Sequence, residues 1–342
     1  MSSGRRSEPR GLRVQFIVPD REGPSSRYRV LQYLPFLEKK GVQSTVSEYP
    51  RGLAARVALL WRLRRFDLVF LQKRLLRPLE WSLLKKRAAR IVFDFDDAIL
   101  YRDSHRGARM TRGRKRRFQR VVAGSHRVIA GNEYLRHLAE EAGARTVTIP
   151  TPVDMDRYAE RRGGISPSVR IGWIGGAGTL FYLESLHAVL RDVCRGTPGT
   201  QVVVISNAFP RWTDVPVVRK PWSYDEEIQD LHSLDIGIMP LTDDPWAQGK
   251  CGFKLLQYMA VGLPVVCSPV GVNVEMVQHG VQGFLARTPE EWAEHLRRLA
   301  AGPELRGGLG AAGRRLVSER YSLHVWAPHL VSALRETADT RS

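Results

Sequence analysis

Short apolar runs alternate with amphipathic stretches along most of the chain. Residues 12–18 (LRVQFIV), 67–72 (DLVFLQ), 90–95 (RIVFDF), 126–130 (HRVIA) and 146–149 are nearly unbroken apolar segments, and 43–49 is a weaker one. Such runs suit strands buried on both faces of a parallel sheet. Between them, apolar residues recur at helical spacing. Leu31, Leu34 and Leu37 mark 27–40, and Leu53, Val57, Leu60 and Leu63 mark 52–65, with arginines on the opposite side. Residues 79–87 and 133–142 repeat the helical pattern. The order is strand, helix, strand, helix, which predicts a parallel sheet with helices on both faces.

A second set follows residue 150. Strands are predicted at 169–174, 201–206 and 236–240, and helices at 182–194 and 224–233. Next comes an amphipathic segment with Leu255, Leu256 and Met259, which stops at Gly262 and Pro264. A strand over 263–267 and a glycine turn from Pro269 to Asn273 lead into a helix starting near Val274. Helices over 290–300, 305–319 and 326–338 complete the chain. The link Pro150-Thr151-Pro152-Val153-Asp154 is extended by its prolines. The expected organisation is a disordered leader over 1–10, one domain over 11–150, a second over 151–320, and a C-terminal helix in 321–342 that crosses back to the first domain.

Composition narrows the classes. The chain has 342 residues and is 43% hydrophobic, enough for two cored domains. Three cysteines, Cys194, Cys251 and Cys267, form no CxxC pair, which argues against a disulfide framework or zinc site and for a reducing compartment. No apolar run approaches the length of a membrane-spanning helix, and the polar N-terminus does not resemble a secretory signal. A cytoplasmic location is expected. Charge is uneven. Residues 1–150 carry 33 Lys and Arg against 14 Asp and Glu, whereas 151–342 carry 20 against 21. Nine Lys or Arg and no acid lie between Asp103 and Glu133. This surface suits a polyanion: an anionic membrane surface, a phosphorylated acceptor or nucleic acid. No helix-turn-helix or aromatic-interleaved basic module accompanies it, so nucleic acid is the weakest of the three.

Several motifs carry chemistry. Ile171-Gly172-Trp173-Ile174-Gly175-Gly176-Ala177-Gly178-Thr179 runs from a strand through glycines into a helix, where backbone amides can approach a diphosphate. Ser268, Gly271 and Val272 occupy a second such turn, and Glu275 follows one turn on, placed to take a sugar hydroxyl. Lys250 and Lys254 can stabilise a diphosphate leaving group, with Lys254 the preferred residue. Asp96 and Asp97, at the end of the 90–95 strand, can orient or deprotonate an acceptor hydroxyl. Arg27 and Arg29, after the first strand, can contact phosphate or acceptor. Asp243 and Asp244 are read as loop acids, not metal ligands.

Residues 253–286 go further than spacing alone. Met259-Ala260-Val261-Gly262-Leu263-Pro264-Val265-Val266, with Gly271 and Glu275 beyond it, resembles the nucleotide-sugar signature of retaining glycosyltransferases of family 4. The family's two glutamates before this stretch are Gly249 and Gln257 here. The resemblance implies an α/β chain of GT-B fold, with two Rossmann-like doubly wound domains facing a cleft. It implies a nucleotide-sugar donor held by Gly175, Gly176, Thr179, Lys250, Lys254, Gln257, Gly271, Val272 and Glu275. Gln257 takes the place of a ribose-binding glutamate, and Asp96, Asp97 and Lys254 serve catalysis. Family enzymes retain configuration through front-face attack assisted by the leaving diphosphate, so neither a protein nucleophile nor a metal or other cofactor is expected. The acceptor would be a glycan or lipid-linked molecule in cell-surface synthesis. The alternatives are another GT-B activity, such as sugar-nucleotide epimerisation, and a non-catalytic membrane- or polyanion-binding protein on the same scaffold.

Overall fold

The computed structural model describes residues 11–160 and 168–340, and the expected leader at 1–10 lies outside them. Two all-parallel sheets of six strands each organise the chain. The first holds β1 (Leu12–Val18), β2 (Val42–Glu48), β3 (Leu68–Gln72), β4 (Ile91–Phe95), β5 (Arg127–Ala130) and β6 (Thr146–Thr148), in the order β2-β1-β3-β4-β5-β6. The second holds β7 (Arg170–Ile174), β8 (Gln201–Ser206), β9 (Val217–Pro221), β10 (Ile236–Met239), β11 (Val265–Cys267) and β12 (Gly283–Leu285), in the order β12-β11-β10-β7-β8-β9. Helices make most of the parallel crossovers, whereas β8 runs to β9 through a loop without one.

Each sheet reverses its strand order once. In the first sheet this happens between β1 and β3, in the second between β7 and β10. Ligands in such sheets bind outside the strand carboxyl ends, at the point of reversal.

The chain folds as two compact units. One comprises the residues up to Leu100, Thr111–Pro150 and the stretch from Trp326 onward. The other comprises Tyr101–Met110 and Thr151–Val325. Two boundaries differ from the expected ones. Residues 101–110 leave the first unit: Tyr101 bridges Met110, the Ser104 and Tyr182 hydroxyls share a hydrogen bond at 2.5 Å, and the His105 ring lies 5.5 Å from that of Phe181. The last helix, Leu323–Asp339, contributes to the first unit only from Trp326. There Arg127 pairs with Glu336 at 3.0 Å and Arg335 donates to the Lys40 carbonyl.

Several elements depart from the sequence pattern. The expected helix over 27–40 is two helices, Pro24–Arg29 and Leu34–Lys39, joined by a 3-10 turn. On the helix Leu53–Arg62 the apolar residues divide. Leu60 is buried, but Leu53, Val57 and Trp61 are exposed, and so is Leu79 at the start of the helix Pro78–Arg87. The helix Arg112–Ala123 forms inside the basic run, with Phe118, Val121 and Val122 as its buried side. Among the described residues no helix is long and apolar enough to cross a membrane.

Candidate functional site

In the second unit, the reversal between β7 and β10 is built around two glycines. A Cβ on Gly237 of β10 would fall 2.3 Å from the Tyr258 ring, and one on Gly172 of β7 would fall 2.2 Å from Leu234. The missing side chain of Gly237 lets the helix Phe253–Ala260 press its buried face onto the sheet, and that of Gly172 leaves room for Leu234. The Tyr258 hydroxyl then accepts the Ile174 amide at 2.8 Å and donates to the Ile238 carbonyl at 3.4 Å, tying the last residue of β7 to β10. Burial pushes this phenol well above the ordinary tyrosine range.

The same helix carries Lys254. Its ammonium lies 4.6 Å over the Trp173 ring and donates to the Thr179 hydroxyl at 3.4 Å. A Cβ on Gly175 would fall 2.7 Å from that ammonium and 2.5 Å from the Trp173 ring. Lys254, Gly175 and Thr179 are therefore brought together, on a turn that follows a central strand. The Gly175 amide is not available to cradle a ligand: it donates to the Ile205 carbonyl at 3.0 Å, extending the β7–β8 ladder. The contribution of Gly175 is space. Gly176 stands in more open surroundings, with Asn207 Oδ1 the nearest neighbour to its missing Cβ at 4.0 Å, and Asn207 also accepts from the Ala177 amide.

The turn after β11 is fastened to the turn after β10. Ser268 Oγ accepts the Leu241 amide at 3.0 Å, and Asn273 Nδ2 donates to the Ser268 carbonyl at 2.9 Å. Gly271 takes φ +54°, and a Cβ there would lie 3.0 Å from the Gln248 carbonyl, so the turn needs glycine on both counts. The Val272 side chain is buried in the core beside Gly252, which leaves only its backbone to meet a ligand. Glu275 is exposed on the short helix Asn273–Met276. Lys250 lies 4.6 Å over the Trp246 ring. Asp244 caps the helix Pro245–Gln248 by accepting the Trp246 and Ala247 amides. Burial opposes its ionisation, but the hydrogen bonds from Thr242 and these amides outweigh that and hold it below the ordinary carboxylate range. Asp243 accepts from the Gln248 side chain at 2.6 Å.

Gln257 lies on the same helix as Lys254. It is 4% exposed and donates to the Tyr158 hydroxyl at 2.9 Å. Tyr158 donates to Glu227 at 2.7 Å, and Trp222 Nε1 donates to the other oxygen of Glu227 at 2.9 Å. The Gln257 amide nitrogen is thus engaged inside the core, and the ribose contact expected of this residue draws no support from that arrangement.

In the first unit, a polar group gathers at the carboxyl ends of β1, β3 and β4. Lys73 follows β3 with φ +53° and reaches Asp96 at 2.9 Å and Asp97 at 2.5 Å. Burial lowers its proton affinity, but the two carboxylates outweigh burial and push the ammonium above the ordinary lysine range. Ser25 donates to Asp96 at 2.8 Å, and Gln72 donates to the Ser25 carbonyl at 3.0 Å. Sequence reading had Asp96 and Asp97 but missed Lys73 and Ser25. Arg29 corrects an expectation. Its guanidinium is buried, paired with Asp94 and bonded to the Ile149 carbonyl at 2.6 Å, so it holds β4 and the β6 end together and does not face an acceptor. Arg27 donates to the Glu22 carbonyl at 2.9 Å and is half-buried. Among the described residues no group of three or more His, Cys, Asp or Glu side chains is placed to hold a metal ion.

Residues 217–301 match the family model described as "Glycosyl transferases group 1". That stretch contains Lys250, Lys254, Gln257, Gly271 and Glu275. A curated relative, the D-inositol 3-phosphate glycosyltransferase of Geodermatophilus obscurus, is 26% identical over 231 residues, which are 58% of this chain and 50% of that protein. The chain thus spans about half the length of the curated relative it matches. Among solved structures, Anabaena HepE in complex with UDP and glucose aligns over 95% of this chain and 100% of its own, with 15% identity and a TM-score of 0.69. Sucrose-phosphate synthase from Thermosynechococcus elongatus aligns over 95% and 98%, with 13% identity and a TM-score of 0.73. A glycosyltransferase from Rickettsia africae aligns over 97% and 100%, with 13% identity and a TM-score of 0.71. The fold is GT-B: two six-stranded parallel sheets with flanking helices.

Proposed function

We propose that the chain is a glycosyltransferase that moves a sugar from a nucleotide-sugar donor to an acceptor hydroxyl with retention of configuration, as a family 4 enzyme. The observation that carries this reading is the position of Lys254. Its ammonium is held over Trp173 and against Thr179, where Gly175 leaves room, within the stretch that matches the group 1 model. A cation there stabilises the charge that develops on a departing diphosphate. The turn fastened by Ser268 and Asn273 presents Gly271 and the Val272 backbone to the donor, with Glu275 beside a sugar hydroxyl. Lys254 supplies the positive charge, and the reading requires neither a metal nor another cofactor.

In the first unit, Ser25, Lys73, Asp96 and Asp97 are assigned to the acceptor. With Lys73 paired to both carboxylates, their role is to accept and orient a hydroxyl more than to remove its proton outright. The acceptor belongs to cell-surface glycan or glycolipid synthesis. The exposed Leu53, Val57, Trp61 and Leu79 and the surrounding arginines suit a cytoplasmic protein resting on an anionic membrane surface.

The test is binding of UDP-, GDP- and ADP-sugars measured by calorimetry. At least one donor is expected to bind, and Lys254→Ala is expected to weaken it by ten- to a hundredfold, the worth of a charge-assisted contact of about 1.5–3 kcal/mol. Absence of binding by every donor would favour a non-catalytic scaffold. Equal affinity in the variant would remove Lys254 from the site.

A further inference from the structure

We propose that a second anion site lies in the first unit: a cavity of about 310 Å³ that binds a phosphate monoester or diphosphate group. The inference rests on residues of the first unit alone, and of these only Lys73 is shared with the proposed acceptor group.

The cavity opens at the carboxyl side of the first sheet. Tyr49 follows β2, residues 73–77 follow β3, Ile99 lies shortly beyond β4, and Arg114 and Arg117 come from the helix Arg112–Ala123. This is the edge at which doubly wound sheets hold their ligands. Its volume is at the small end for ligand pockets, large enough for a compact phosphorylated group and too small for a nucleic-acid segment.

The lining is strongly cationic. Five arginines and Lys73 face one carboxylate, Glu80. Glu80 is engaged by Arg56 at 3.0 Å, and Lys73 is engaged by Asp96 and Asp97. Arg74, Arg77 and Arg117 have no carboxylate partner among the described residues. Arginines gathered in one concavity repel one another, and an oxyanion removes that repulsion while taking bidentate hydrogen bonds from their planar forks. Part of the site is already oriented. The Arg74 guanidinium lies 5.0 Å over the buried Tyr49 ring, and Arg56 lies 5.2 Å from the same ring. Side chains held in place before binding lose less entropy when the ligand arrives. The run of basic residues seen in the sequence after Asp103 thereby acquires a local purpose in Arg114 and Arg117.

The probe is inorganic pyrophosphate, titrated calorimetrically at low salt against the full chain, with Lys254→Ala and the double variant Arg74→Gln/Arg77→Gln in parallel. Circular dichroism and melting confirm that each variant is folded. The expected result is binding that survives Lys254→Ala, falls at least tenfold in the arginine variant and weakens as salt rises. Donor nucleotide-sugar binding is expected to be unchanged in the arginine variant, so failure here and failure of the transfer reading are separable. Vesicles of phosphatidylcholine with and without phosphatidic acid identify the source of the phosphate. Sedimentation with phosphatidic acid that pyrophosphate reverses points to a lipid headgroup, and pyrophosphate binding without sedimentation points to a soluble phosphorylated molecule. Pyrophosphate binding that is absent, or that Lys254→Ala abolishes and the arginine variant keeps, overturns the proposal.

Discussion

Gln257 donates to the hydroxyl of Tyr158 at 2.9 Å, and this bond explains why a glutamine stands where related sequences carry a glutamate. Tyr158 already gives its proton to Glu227, so a second carboxylate would meet no donor and would add like charge to a buried network. Gln257→Glu is expected to destabilise the fold by about 2 kcal/mol near neutral pH. The introduced carboxyl would have a raised folded-state pKa. Its cost is therefore largest above that pKa and shrinks as pH falls through it, when the protonated group can donate to Tyr158. Urea denaturation at pH 7 and pH 5 checks this; a midpoint indifferent to the substitution at both would refute it.

Gly175→Ala tests the space around Lys254. The new methyl would fall against the Trp173 ring and the Lys254 ammonium. A loss of about 1–3 kcal/mol in stability is expected from the crowding, together with weaker donor binding as the lysine is displaced. Unaltered donor affinity, by calorimetry, would mean that the lysine is not positioned by this contact.

Lys73→Met leaves Asp96 and Asp97 side by side without their shared cation. Both carboxylates are mostly buried, at 13% and 20% side-chain exposure. A loss of about 2 kcal/mol is expected, below the full cost for a wholly buried pair. The additional change Asp97→Asn should restore part of it by removing one of the opposing charges. Thermal unfolding of the single and double variants decides; no recovery in the double variant counts against the charge explanation.

His295 supplies a pH dependence. Burial, and next to it the neighbouring His279, holds its imidazole below the ordinary histidine range, and its ring stacks on Phe284 with centroids 4.6 Å apart. The folded state therefore prefers the neutral ring. Its contribution is fully present above the unfolded value of about 6.5 and is lost as pH falls from there toward the lower folded value. Stability is expected to decline from pH 7 to pH 5, and His295→Phe to flatten that slope. An identical slope in the variant would place the dependence elsewhere.

Much of the fold was legible because long apolar runs and helical spacing are local signals. The strands that escaped notice, β9 and β12, are edge strands. β9 carries half-exposed and exposed residues, and β12 has only three residues, so neither stands out as an apolar run. The helix at 112–123 was hidden by its arginines, because only Phe118, Val121 and Val122 mark its buried side. At the candidate site, Lys254 and the Gly271 turn were legible from motif and spacing. Tyr258 was not, since its place depends on the missing side chain of Gly237 on a separate element, β10. Arg29 misled for the same reason: it ends a helix, its partner Asp94 arrives from β4, and only tertiary structure shows that the pair is buried.

The path of the chain between its units also sets an order on its synthesis. The first unit contains both the earliest described strand and the residues from Trp326 onward, where Glu336 meets Arg127 and Arg335 meets the Lys40 carbonyl. A nascent chain emerging from the ribosome can complete the second unit while the first still lacks its closing helix. The first unit is thus begun before the second and completed after it.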